Sequence, residues 1–152
     1  MNEDRQKQTK ANGFKSVELE INRTHSVNYE EPLVDEQTVL GLFKKIDEDN
    51  YVVTFNSEVN GEPLSNTIKL NKGSMSWVVF GENVHHYQKF KQKEWASNQF
   101  CFDTFGVVTC RNKTRRLDYH FNQEGGFIDI FYELYSGETH LGFYSLEIMI
   151  GE

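Results

Sequence analysis

Phe127-Ile128-Asp129-Ile130-Phe131-Tyr132-Glu133-Leu134-Tyr135 is the stretch that decides the fold. Ile128, Ile130, Tyr132 and Leu134 fall on one face at period two, while Asp129 and Glu133 fall on the other, as the side chains of a half-buried strand do. Just upstream, Gln123-Glu124-Gly125-Gly126 supplies the positive-φ glycines that a tight hairpin needs. A two-residue loop at Glu124-Gly125 sets Phe121 opposite Ile128, Tyr119 opposite Ile130 and Leu117 opposite Tyr132. The same register opposes Arg116 to Glu133 and His120 to Asp129, so both faces are complementary.

The neighbouring hairpins extend the pattern. At Ser136-Gly137-Glu138-Thr139 a bulged, three-residue loop centred on Glu138 aligns Leu134, Tyr132, Ile130 and Ile128 with Gly142, Tyr144, Leu146 and Ile148. A strict two-residue loop at Gly137-Glu138 instead opposes Ile128 to Glu147, which favours the bulge. On the other side, a two-residue turn at Phe105-Gly106, its glycine also at positive φ, pairs Phe102 with Thr109 and Cys101 with Cys110. From Phe100 to Ile150 the chain therefore reads as successive hairpin strands.

Upstream, Val17 to Asn22, Thr38 to Ile46, Tyr51 to Val59, Asn66 to Lys72, Ser74 to Phe80 and Val84 to Lys91 read as further strands, separated by turns rich in Asp, Asn and Gly. Only Glu94 to Asn98, and a turn near Glu31 to Glu36, suit a short helical piece. About eight to ten strands in consecutive hairpins, with no helix long enough for a crossover, predict an all-β fold: a single closed antiparallel meander barrel. Closure removes the edges of a long open sheet. The barrel domain is expected over residues 14–152, with the polar residues 1–13 as a disordered lead-in.

The run Phe102-Asp103-Thr104-Phe105-Gly106, then Thr114, Gly125-Gly126, Tyr132 and Leu146-Glu147-Ile148, resembles the bacterial YwiB-like family of uncharacterised proteins. Asn66-Thr67-Ile68-Lys69-Leu70 and Val79-Phe80-Gly81 fit the same template. The resemblance implies a calycin-like, lipocalin-related β-barrel with no established activity. Where the family pattern has an Arg shortly before the glycine of the fifth strand, this chain has Val78-Val79-Phe80, so no role of that Arg carries over. The lipocalin Gly-x-Trp signature is absent from the first strand.

With 152 residues and 38% hydrophobic content, the chain makes one domain with one core. Aromatic residues reach 14%, which suits a wide barrel interior. A net charge of −7 argues against nucleic-acid and anionic-membrane partners. No apolar run approaches a spanning helix and the first residues do not resemble a secretory signal, so a cytoplasmic location is expected.

No catalytic group can be assembled by spacing. Cys101 and Cys110 read as packing residues in a reducing compartment, with a redox pair as the sharper alternative. His85 and His86 are adjacent on a strand and point to opposite faces, so they cannot share a metal ion. His120 beside Asp129 reads as a surface ion pair. Lys89, Lys91, Lys93, Arg111, Lys113 and Arg115 read as a solvated exterior. The interior remains: Trp77, Val79, Phe102, Tyr119, Tyr132 and Tyr144 are the candidate ligand-binding residues of an apolar, aromatic cup. The expected function is non-enzymatic binding of a small apolar or amphipathic ligand, with no cofactor and no metal. The alternatives are a protein-interaction barrel with a self-filled core, or an enzyme pairing an inward His85 or His86 with Asp103 or Glu147.

Overall fold

The computed structural model describes residues 13–27, 30–102, 106–122 and 124–151, with the backbone alone at Phe102. Ten strands follow in order: β1 (Lys15–Ser26), β2 (Leu33–Lys45), β3 (Asn50–Val59), β4 (Glu62–Asn71), β5 (Ser74–Phe80), β6 (Val84–Lys91), β7 (Trp95–Phe102), β8 (Gly106–Asn122), β9 (Gly125–Ser136) and β10 (Thr139–Gly151). Each pairs antiparallel with the next, and β1 pairs with β10, closing a single ten-stranded meander barrel. The expected lead-in falls almost wholly outside the described residues.

Local chemistry accounts for the turns. Asp47 Oδ1 accepts the backbone N–H groups of Asp49 and Asn50 at 2.9 and 3.0 Å, which folds Asp47-Glu48-Asp49 between β2 and β3. Asn60-Gly61 and Lys72-Gly73 both have positive φ at both residues, the geometry of a two-residue hairpin loop. Two expectations of helix fail. Glu94 to Asn98 runs into β7, because Trp95 lies outward against Arg111 and Lys113 while Asn98 is fully buried on the inner side. Glu31 to Glu36 leads directly into β2, whose pairing with β1 reaches Leu33.

The β9–β10 register is the one that alternation predicts, with Leu134 opposite Gly142, Tyr132 opposite Tyr144 and Ile128 opposite Ile148. Its device is a turn at Gly137-Glu138 followed by a bulge at Leu141, which skips one residue and restores apolar facing. The β8–β9 register differs from expectation by two residues. Tyr119 faces Ile128, Phe121 faces Gly126 and Asn122 faces Gly125, because the turn sits one residue earlier, where Asn122 Oδ1 accepts the Glu124 N–H at 2.8 Å. Gly125 does have positive φ, whereas Gly126 does not; it is glycine because a Cβ there would lie 1.8 Å from the carbonyl oxygen of His120. An even shift keeps every side chain on its face, so the core is unaffected. The charge partners do change. A bulge at Arg115 sends Arg115 to Glu133 and Arg116 to Asp129, while His120 faces Phe127.

The β7–β8 register is also corrected. Cys101 faces Val107 and Cys110 faces Asn98, because β7 runs to Phe102 and β8 starts at Gly106. The intervening Asp103 to Phe105 lie outside the described residues. The shift of three reverses facing: Cys110 points into the barrel and Cys101 does not, and both thiols are free.

Two ladders stop short. Pairing between β6 and β7 ends at Tyr87 opposite Gln99, and the widening gap is bridged by side chains. Asn112 Nδ2 donates to Lys89 O at 2.7 Å and to Asn98 Oδ1 at 2.8 Å, Lys89 N–H donates to Asn98 Oδ1 at 3.3 Å, and Thr114 Oγ1 bonds Asn112 Oδ1 at 2.7 Å. These buried asparagines and threonine stand in for missing backbone bonds. Pairing between β2 and β3 likewise ends at Gly41 opposite Phe55.

Candidate functional site

The lumen divides into a filled end and an open end. Phe43, Tyr51, Tyr119 and Phe121 meet with ring centroids 4.8 to 6.3 Å apart and fill one end. There Tyr119 Oη accepts the Gly73 N–H at 3.2 Å, tying β8 to the β4–β5 turn. Between the ends Leu19, Ile21, Ile68, Ile130 and Ile148 form a solvent-free layer.

At the open end lies a cavity of about 480 Å³, in the range of small-molecule sites. Trp77, Phe90, Phe100, Tyr132, Leu134, Tyr144 and Leu146 form its apolar wall, and Arg23, His25 and Asp35 are its charged or titratable neighbours. Each is placed by alternation. Val17, Leu19 and Ile21 face inward on β1, so Arg23 and His25 do too, and Met75, Trp77 and Val79 repeat the pattern on β5.

The rings of the wall pack against one another. His25 stacks on Tyr144 at 4.2 Å with planes 9° apart, and Tyr144 stacks on Tyr132 at 5.1 Å, also at 9°. Tyr132 in turn meets Phe90 at 4.8 Å. Gly142 permits the first stack, since a Cβ there would come 2.9 Å from His25 Nε2. Trp77 is fixed from three directions. Its indole N–H donates to Asn66 Oδ1 at 3.0 Å, Phe55 meets it edge-on at 6.1 Å, and the Arg23 guanidinium lies over its ring at 5.0 Å. That last contact spans the lumen from β1 to β5.

Burial raises the Tyr132 hydroxyl pKa well above its ordinary value, and the neighbouring Tyr144 adds to this while Arg23 opposes it. Burial raises Tyr144 as well, with Cys110 contributing. Both hydroxyls are therefore neutral at physiological pH and can donate to a guest.

Of the six residues read from the sequence, Trp77, Tyr132 and Tyr144 line the cavity. Val79 is buried beside it, and Tyr119 belongs to the filled end. The Phe102 side chain lies outside the described residues. Arg23, His25, Asp35 and Phe90 were missed, although Arg23 and His25 continue the alternation of Val17, Leu19 and Ile21; a charge on the inner face hid the periodicity. The His-plus-carboxylate pairings fare differently. His86 faces inward against Phe100 at 5.1 Å, with its pKa lowered by burial, and His85 is exposed. Glu147 is exposed on β10, away from His86 on β6, and Asp103 lies outside the described residues. Among the described residues no group of three or more His, Cys, Asp or Glu is placed to hold a metal ion.

A family model described as a domain of unknown function, DUF1934, matches residues 19–148. The chain belongs to that family. Its fold is similar to that of the crystal structure of ywiB protein from Bacillus subtilis, with a TM-score of 0.76 at 17% identity, covering 94% of this chain and 99% of that one. At that identity the likeness establishes the fold. No curated protein matches. The family thus carries the barrel, and any reading of the cup rests on its own geometry.

Proposed function

We propose that the open end of the barrel holds one small amphipathic molecule with a flat apolar body, and that the protein acts as a binding module with no chemistry of its own. The observation that carries this reading is the 480 Å³ cavity walled by the Trp77, Phe90, Tyr132 and Tyr144 rings in a barrel whose other end is filled. Rings already packed against one another lower the side-chain ordering cost of association. The two tyrosine hydroxyls and Arg23 offer donors to a polar end of the guest. A cytoplasmic setting accords with two free thiols on opposite faces of the wall.

The test uses tryptophan emission. The chain has two Trp, and Trp95 lies on the outer surface, so Trp95→Phe leaves Trp77 as the reporter. Titration with an anilinonaphthalene sulfonate probe is expected to quench Trp77 saturably at one probe per chain. Trp77→Ala is expected to weaken probe binding at least tenfold and to cost about 3–5 kcal/mol of stability, so affinity is measured on the folded fraction. Non-saturable binding, or affinity unchanged by Trp77→Ala, rejects the reading.

A further inference from the structure

The barrel wall is incomplete along β2. Pairing with β3 covers only Gly41 to Lys45, opposite Phe55 to Tyr51, whereas pairing with β1 continues up to Leu33. Leu33–Leu40 thus has one edge in a ladder and, among the described residues, no strand on the other. The comparable gap between β6 and β7 is filled by the side chains of Asn98 and Asn112. No side chain among the described residues plays that part for β2. A row of unmatched backbone donors and acceptors is a template for another strand. The same segment exposes Leu33 at 70%, Val34 at 63% and Leu40 at 78%.

We propose that this edge joins two copies of the chain, β2 to β2, antiparallel across a two-fold axis. Symmetry restricts the register. Side chains opposed in an antiparallel pair share a face, so a two-fold pair must be centred on one residue opposed to its own copy. A centre at Asp35 or Glu36 opposes like charges. A centre at Thr38 sets Glu36 against Leu40 and runs into Leu42, which β3 already holds opposite Thr54. A centre at Gln37 opposes amide to amide and Glu36 to Thr38, leaves Asp35 beside Val39 at the rim of the cup, and on the outer face sets Val34 against Leu40 twice, where the pair ends short of Gly41, which β3 holds opposite Phe55. The acidic pair thereby discourages other edge pairings and selects this one. Leu33, Val34 and Asp35 also line the cavity, so the partner strand walls the flank of the cup. The dimer is judged by mass and cross-linking alone, independently of whether the cup binds a guest.

The experiment is light scattering and sedimentation on the full chain. At about 100 µM the protein is expected to show twice the mass of the chain. Val34→Lys combined with Leu40→Lys alters two exposed positions and is expected to give a monomer with an unchanged circular dichroism spectrum. In a Cys101→Ser, Cys110→Ser background, Gln37→Cys is expected to form a disulfide-linked dimer on mild oxidation, since the self-opposed position brings the thiols together. A monomeric wild type at that concentration overturns the proposal, as does a dimer that survives the two lysines. A dimer that the lysines dissociate but Gln37→Cys fails to cross-link overturns the register.

Discussion

Trp77 shows how single residues set the shape of the cup, since its N–H bond to Asn66 and its contact with Arg23 leave the ring one orientation. The polar atoms of the wall make the structure sensitive to alkali. Burial raises Cys110 above its ordinary 9.0 and Tyr132 and Tyr144 above 10.0. Unfolded, these groups ionise at their ordinary values, so above about pH 9 the unfolded chain sheds protons that the folded one keeps, and stability falls as pH rises. Below that range all three are neutral in both states. Urea midpoints are expected to decline between about pH 9 and pH 11, and Tyr132→Phe to flatten the decline. An identical slope in that variant contradicts the burial of the hydroxyl. Gly126 makes a second residue-scale case. Gly126→Ala forces its Cβ onto the His120 carbonyl, and thermal unfolding is expected to report a loss of about 2–4 kcal/mol. A melting point within error of wild type contradicts the close crossing of β8 and β9.

At the scale of the element, strands were legible and turns less so. Period-two alternation survives a register error of two, which is why the core of β8 and β9 was read correctly from a misplaced turn. It does not survive an error of three, which is why Cys101 and Cys110 were set together when they face opposite sides. The misplacement has one cause in both hairpins: glycine was read as turn chemistry. Gly125 and Gly106 both have positive φ, yet each opens a strand, β9 and β8, opposite a paired residue. That the β9–β10 hairpin takes one extra residue was legible, because without it Glu147 meets Ile128; its place at Leu141, and not in a three-residue loop centred on Glu138, was not. The bulge at Arg115 was not, since a polar run has no face to betray the skip. The side-chain bridge between β6 and β7 gives an element-scale prediction. Asn112→Ala strands Lys89 O, Asn98 and Thr114 without their partner, at about 1–3 kcal/mol for each buried group orphaned. Hydrogen exchange is expected to quicken at Phe90 to Asn98 before the rest of the barrel. Uniform exchange across all strands contradicts a local bridging role.

Across the whole molecule, the placement of large rings inside a closed barrel explains why one end of the lumen is full and the other open. In a barrel of this strand number the interior exceeds what small side chains fill, so occupancy depends on which positions carry large rings. Tyr51, Tyr119, Phe43 and Phe121 converge at one end from β2, β3 and β8, a meeting that strand patterns alone did not show because it joins residues distant in sequence. At the other end the rings line up along the wall and leave space between them. The barrel was legible in hairpin succession, and part of the cavity wall in Trp77, Tyr132 and Tyr144. Its polar rim was not, because Arg23 and Asp35 look like surface residues until β1 and β2 are seen to bring them to the mouth. Backbone and indole chemical-shift mapping with the anilinonaphthalene sulfonate probe tests the division most directly. The account predicts saturable shifts at Arg23, the Trp77 indole, Tyr132 and Tyr144, with Tyr51, Tyr119 and Phe121 unmoved; shifts confined to the outer face, or spread equally over both ends of the lumen, would contradict it.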